Sequence, residues 1–140
     1  MTLPASTTGA GRPAPVGPLI LIIDDNEKNR KLAGDALRAA GLQTIDAANG
    51  HEGLALAAEH RPDVILLDLR LPDIEGMEVA RRLKDGAGTA GIPIVALSAL
   101  RLADDGASLL SAGFAAVLTK PIDIRVFPEQ VRAYSRRDTA

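Results

Sequence analysis

No cysteine occurs among the 140 residues, so disulfides, thiolate metal sites and cysteine nucleophiles are all excluded. That absence suits a reducing compartment without requiring one. Aromatic side chains are confined to Phe114, Phe127 and Tyr134, too few and too scattered to stack on nucleic-acid bases. A formal net charge of −2 offers no basic footprint for nucleic acid or an anionic membrane surface. No unbroken apolar stretch exceeds the five residues of Leu19–Ile23, against the roughly 20 that a membrane-spanning helix needs. Residues 1–18 carry one basic side chain, Arg12, and lack the apolar heart of a signal peptide.

What remains is the balance of a globular protein. Apolar residues make up 46% and charged residues 24%, and the length suits one domain with a sizeable core. Residues 1–18 are rich in proline, glycine, alanine, serine and threonine. Such a segment buries too little to offset its ordering entropy and is expected to be a disordered leader. The folded domain is expected over 19–134, with a short tail at 135–140. That tail is too short for a DNA-binding or catalytic output domain, so a stand-alone domain is expected.

From Leu19 onward, short apolar runs alternate with segments of helical pattern. Leu19–Ile23 is apolar throughout, as a strand buried on both faces must be. Asn26 suits a helix cap, and 29–40 reads as a helix closed by Gly41. Residues 42–47 form a weaker strand, Asn49 and Gly50 mark a turn, and 52–60 is an alanine-rich helix ending before Pro62. A strand at 64–67 and a helix at 77–84 follow, the latter stopped by Asp85 and Gly86. The fourth strand is 92–97. A helix at 103–112 is weakened by Gly106 and Ser108, and the fifth strand is 115–119. The last helix runs to about Tyr134. Proline inside a helix costs about 3 kcal/mol or more, so 123–127 should be an irregular turn with Pro128 near the first helical position.

Five strand–helix units in strict alternation predict an α/β fold, a doubly wound five-stranded parallel sheet with right-handed crossovers and helices on both faces. The expected order is the flavodoxin-like 2-1-3-4-5, whose ligands sit where strands one and three part, beyond the carboxyl ends. Asp24 and Asp25 follow the first run, Asp68 the third, Ser98 the fourth and Lys120 the fifth. All five residues therefore converge on that edge. Three carboxylates so close repel one another and raise at least one pKa unless a cation intervenes. Oxygen-only ligation favours Mg²⁺. Asp68 is then a nucleophile toward phosphorus that yields an acyl phosphate. Lys120 supplies a fixed positive charge and Ser98 a hydrogen-bond donor to the phosphoryl oxygens. Ala99, being small, leaves the approach open.

Each residue taken singly has a plainer reading. Asp24 and Asp25 could be solvated residues at a helix start, Asp68 a structural strand end, Ser98 a loop hydroxyl and Lys120 a surface charge. For all of these to hold, four coincidences must fall in register along one sheet edge. His51 and His60 flank one helix away from that edge, and residues 27–30 and 81–84 read as solvated helix faces.

Residues 19–134 resemble the receiver domain of two-component response regulators. Four ordered segments carry the likeness: LILIIDDNEKNRKL, RPDVILLDLRLPDIEGMEVARRLK, IPIVALSA and AAVLTKPID. Receivers are themselves standing examples of the 2-1-3-4-5 order, so the fold expectation is not independent of the likeness. The resemblance implies a phosphorylation-dependent signalling switch of a two-component system or phosphorelay. It would be no enzyme beyond accepting and slowly hydrolysing its own phosphoryl group. Asp68 would be the phosphoacceptor, and Asp24, Asp25 and Asp68 would hold Mg²⁺ together with the backbone carbonyl of Arg70. Ser98 would be the switch hydroxyl and Lys120 the phosphate-contacting lysine, followed by a cis bond to Pro121. The implied partners are a histidine kinase or histidine phosphotransfer domain upstream and a protein target downstream. Neither nucleic acid nor membrane insertion is implied, homodimerisation stays open, and the cytoplasm is the expected location.

Two departures stand out. Receivers usually place Tyr or Phe three residues before the lysine, where this chain has Val117, and Pro128 disturbs the start of a helix that belongs to the usual output surface. The alternative reading is thus a receiver-like interaction module whose binding ignores phosphate. A metal-dependent phosphohydrolase with an aspartyl nucleophile would need a second aspartate two residues after the first, and Asn26 stands in that position. A flavin site would need a hydroxyl- and glycine-rich first loop with aromatic flanks, which are missing.

Overall fold

The computed structural model describes residues 17–98 and 113–135. The helix expected at 103–112, the small residue Ala99, and most of the leader and tail lie outside the described residues. In chain order the elements are β1 (Leu19–Ile23), α1 (Glu27–Ala39), β2 (Gln43–Ala47), α2 (Gly50–His60), β3 (Val64–Asp68), α3 (Gly76–Asp85), β4 (Ile94–Ser98), β5 (Ala116–Thr119) and α4 (Phe127–Tyr134). The five strands pair in parallel in the order β2-β1-β3-β4-β5, which is the expected topology.

Local chemistry sets the boundaries. The Asn26 side chain accepts the Asn29 N–H, so α1 begins at Glu27, two residues before the apolar pattern becomes visible. Past its end, Gly41 adopts φ +91, the left-handed geometry that glycine tolerates best. Asn49 is a cap rather than part of a turn. Its side chain accepts the Glu52 N–H while the Glu52 carboxylate accepts the Ala48 N–H, so Gly50 already belongs to α2. β4 starts at Ile94 because Pro93 has no N–H to give the ladder. Pro128 sits in the first turn of α4, where a missing N–H costs nothing. Gly17 and Pro18, assigned above to the leader, are buried, and the Pro18 carbonyl accepts the Gln43 N–H.

Alternation along the strands sends side chains to two cores. Leu21, Ile23, Ile65, Leu67 and Ile94 pack against α2 and α3 on one face. Ile20, Ile22, Leu66, Val95 and Leu97 pack against α1 and α4 on the other, around Leu37, Phe127 and Val131. Each of these fully buried side chains contributes roughly 1.5–3 kcal/mol by leaving water. Together they form a rigid platform whose carboxyl edge carries the polar residues. Among the described residues no helix is long and apolar enough to cross a membrane.

Candidate functional site

Backbone pairing continues one residue beyond the strand ends and fixes the polar edge. The Asp24 N–H donates to the Ala47 carbonyl at 3.1 Å, that of Leu69 to Leu97 at 3.3 Å, and that of Lys120 to Ser98 at 2.8 Å. Asp68 is the last residue of β3 and lies opposite Leu97, while Ser98 ends β4 opposite Thr119. Asp24, Asp25, Asp68, Arg70, Ser98 and Lys120 all border one depression of about 310 Å³ at this edge.

Inside it, carboxylate oxygens of Asp24, Asp25 and Asp68 lie within 4.8 Å of one another. Asp24 and Asp68 are buried at 1% and 5% exposure, and Asp25 is exposed. The two buried acids are held alike. In each, Oδ1 accepts the N–H two residues ahead, Asn26 at 2.9 Å and Arg70 at 3.0 Å. Each turns Oδ2 toward Lys120 Nζ, at 2.9 Å from Asp68 and 3.4 Å from Asp24. Burial pushes the Asp24 carboxyl above its ordinary pKa; the Asn26 N–H opposes this, and the neighbouring Asp68 charge adds to it. Burial acts to lower the Lys120 ammonium, but its hydrogen bond to Asp68 and the charges of Asp24 and Asp68 outweigh that and raise it.

Fully ionised, the three carboxylates and the Lys120 ammonium sum to −2, with the exposed Arg70 also bordering the depression. The donors are all oxygen, and one of the three carboxylates faces solvent. A hard divalent cation matches that charge and that donor set. Among the described residues no other group of three histidine or carboxylate side chains is placed to hold a metal. A larger hollow of about 720 Å³ runs along α3. Its Glu78 and Asp85 are already paired with Arg81 and Arg82.

The edge therefore gathers Asp24, Asp25, Asp68, Arg70, Ser98 and Lys120, and the Lys120–Pro121 bond is cis. His51 and His60 lie at opposite ends of α2, exposed. Val117 is half-buried against the core that α2 and α3 cover.

Two contributors escaped the sequence reading. Arg30 is not part of a solvated face, because its side chain is only 17% exposed. It donates from Nη1 to the Asp24 carbonyl and from Nε to Asp46, both at 2.8 Å. The signal was available: Arg30 shares a helical stripe with the buried Ala33, Gly34 and Leu37. Asp73 accepts the N–H groups of Gly50 at 2.8 Å and of His51 and Ile74 at 2.9 Å, fastening the loop after Asp68 to the start of α2. Burial pushes its carboxyl up, but those three N–H groups prevail and hold it at about 2. Nothing in the sequence pairs residue 73 with residue 50. The same loop doubles back so tightly that a Cβ on Gly76 would lie 2.6 Å from Leu69 Cα and 2.9 Å from the Asp68 carbonyl.

Known proteins fit this arrangement. The family model of the response regulator receiver domain matches residues 20–132. The polar-differentiation response regulator DivK of Brucella anthropi is 41% identical over 115 residues, spanning 82% of this chain and 94% of that protein. Its Brucella ovis counterpart is 39% identical over the same spans. Among solved structures, the receiver domain of the Francisella response regulator 1452 superposes with a TM-score of 0.80 at 27% identity, covering 87% of this chain and 99% of that one. The chemotaxis response regulator CheY4 of Vibrio cholerae reaches 0.80 at 24% identity, covering 85% and 99%, and supports the fold alone. On a family match that takes in all five strands and the acidic edge, the chain belongs to the response regulator receiver domain family.

Proposed function

We propose that this receiver is a phosphorylation-dependent switch of a two-component system or phosphorelay, with Asp68 as its phosphoacceptor. The observation that carries the reading is a buried strand-end carboxylate within 4.8 Å of two others and 2.9 Å from a lysine ammonium. A carboxylate oxygen of Asp68 forms a bond to phosphorus as the bond from phosphorus to the donor imidazole nitrogen breaks, and the freed imidazole takes up a proton. The donor is a phosphohistidine on a histidine kinase or phosphotransfer domain. Asp24, Asp25, Asp68 and the Arg70 backbone carbonyl would hold Mg²⁺, which would offset the carboxylate charge that otherwise repels an incoming phosphoryl group. Lys120 and the Ser98 hydroxyl donate to phosphoryl oxygens, so the residues supply position and charge rather than turnover. Water later releases the phosphate slowly. A downstream protein reads the state only by binding one form more tightly than the other. Such a pathway operates in the cytoplasm.

The test is the intact mass of the protein after incubation with a small acyl-phosphate donor and Mg²⁺. One added phosphoryl group is expected, present in the wild type and lost completely in Asp68→Asn. No uptake by the wild type, or undiminished uptake by the variant, would overturn the assignment.

Val117 favours a second reading, a module whose binding is indifferent to phosphate. Its half-buried branched side chain cannot swing between an inner and an outer site as a ring can. Equal affinity of a partner for phosphorylated protein, unphosphorylated protein and Asp68→Asn would establish it.

A further inference from the structure

Arg30 is the fourth residue of α1, next to the acidic edge but outside it. Its guanidinium spans two partners, the Asp24 carbonyl through Nη1 and the Asp46 carboxylate through Nε, each at 2.8 Å. Asp46 belongs to the edge strand β2, and the next residue, Ala47, accepts the Asp24 N–H at 3.1 Å. The main chain of Asp24 is therefore tied to the end of β2 on both sides, directly through its N–H and through Arg30 at its carbonyl. That carbonyl belongs to the peptide unit joining Asp24 to Asp25. Its orientation sets ψ of the first acid and φ of the second, and so the directions in which both carboxylates leave the backbone. Among the described residues Arg30 is the one side-chain donor to that carbonyl, so its removal leaves the peptide without a side chain to hold it.

We propose that Arg30 is a positioning residue for the cation site, holding the Asp24–Asp25 peptide so that both carboxylates face Asp68, with Asp46 steering its guanidinium. The proposal rests on the phosphoacceptor reading above. Arginine suits the task because its planar fork donates in two fixed directions, whereas a lysine ammonium is a single mobile point. Groups that orient metal ligands without touching the metal commonly cost 10- to 100-fold in affinity when removed.

The test is isothermal titration of the full chain with Mg²⁺, alongside a thermal melt of each metal-free variant. Arg30→Ala should weaken Mg²⁺ binding about tenfold. Arg30→Lys, which keeps the charge but not the fork, should recover less than half of that loss on a logarithmic scale. Asp46→Ala should fall between wild type and Arg30→Ala, and the double variant should be no weaker than Arg30→Ala alone, because both changes act through one guanidinium. A purely structural role would lower the melting midpoint and leave the Mg²⁺ affinity of the folded protein unchanged. Unchanged affinity in Arg30→Ala, full recovery by lysine, or losses that multiply in the double variant would each overturn the proposal. Should Arg30→Ala not fold, unchanged affinity in both Arg30→Lys and Asp46→Ala would overturn it. A wild type that does not bind Mg²⁺ would overturn the site reading and this inference together. A wild type that binds while the variants match it would overturn this inference alone.

Discussion

On the outer face of α3, Arg81 lies 2.9 Å from Asp85 and Arg82 lies 2.9 Å from Glu78. At the carboxyl edge of the sheet, Lys120 lies 2.9 Å from Asp68 and 3.4 Å from Asp24. The distances match, and the consequences diverge. Two carboxylates meet two guanidiniums on α3, largely in water, and hydrogen bonds from Arg81 and Arg82 pull the Glu78 carboxyl down to about 2. At the sheet edge three carboxylates lie together, the two buried ones share one ammonium, and burial pushes Asp24 up. A helix-surface ladder of this kind is a solubility feature worth little to stability. Excess like charge held away from water is kept only where the fold over-determines it, and that imbalance marks a functional site better than proximity does.

The largest expected break in the comparison comes from Lys120→Met. The substitution keeps the aliphatic stem and removes the cation that Asp24 and Asp68 share. Deleting one partner of a buried pair costs about 3–5 kcal/mol. Lys120 retains 23% side-chain exposure, so about 3 kcal/mol or a little less is expected in metal-free protein at neutral pH, read from urea unfolding. The deficit should shrink in acid as the orphaned carboxylates take up protons. A loss no larger than that of a surface substitution would put the sheet edge in the same class as α3.

Asp24→Asn should act in the opposite direction. The folded state holds the Asp24 proton above the ordinary 3.8, so between 3.8 and the raised value it binds more protons than the unfolded chain does. Stability of the metal-free wild type therefore falls as pH rises through that window, and the penalty persists above it. Asparagine cannot ionise, so the variant should be more stable at neutral pH, by about 0.5–2 kcal/mol as for other charge-relieving changes. The two proteins should converge below the window. Saturating Mg²⁺ should reverse their order, because only the wild type keeps the full ligand set. Chemical denaturation at several pH values, with chelator and with Mg²⁺, reads all three outcomes.

How much of this was legible in the sequence depended on whether the cause lay within one element or between two. β1 was visible to the residue because both of its faces are buried and its apolar run is unbroken. The convergence of Asp24, Asp68, Ser98 and Lys120 followed from parallel topology, since a strand-end residue inherits its place from the sheet. Helix starts were read late where the cap preceded the apolar stripe, as at Asn26, or resembled a turn, as at Asn49. What escaped was contact across elements at no fixed spacing. Arg30 reaches Asp46, and Asp73 reaches Gly50, and neither link has a periodicity to announce it. Arg30 was half-legible, because its position on the buried stripe of α1 argued against a solvated role, while its partner on β2 required the register.

Glu78→Gln carries the smallest expected effect and the sharpest contrast. The Glu78 carboxylate is held down to about 2 from an ordinary 4.5 by Arg81 and Arg82. Its stabilising contribution is present above the ordinary value and is lost as pH falls toward 2. At neutral pH and low salt the variant should melt slightly below the wild type, by much less than Lys120→Met. The difference should close at about 1 M salt, where the screening length falls to roughly 3 Å. It should close again at acid pH, where wild-type Glu78 is itself protonated. The Lys120→Met deficit should shrink much less in the same monovalent salt, because Asp24 and Asp68 are buried at 1% and 5% exposure and partly buried pairs are screened less than exposed ones. Equal salt sensitivity in the two variants would mean that burial does not separate the two clusters and that the sheet edge is an ordinary surface ion pair.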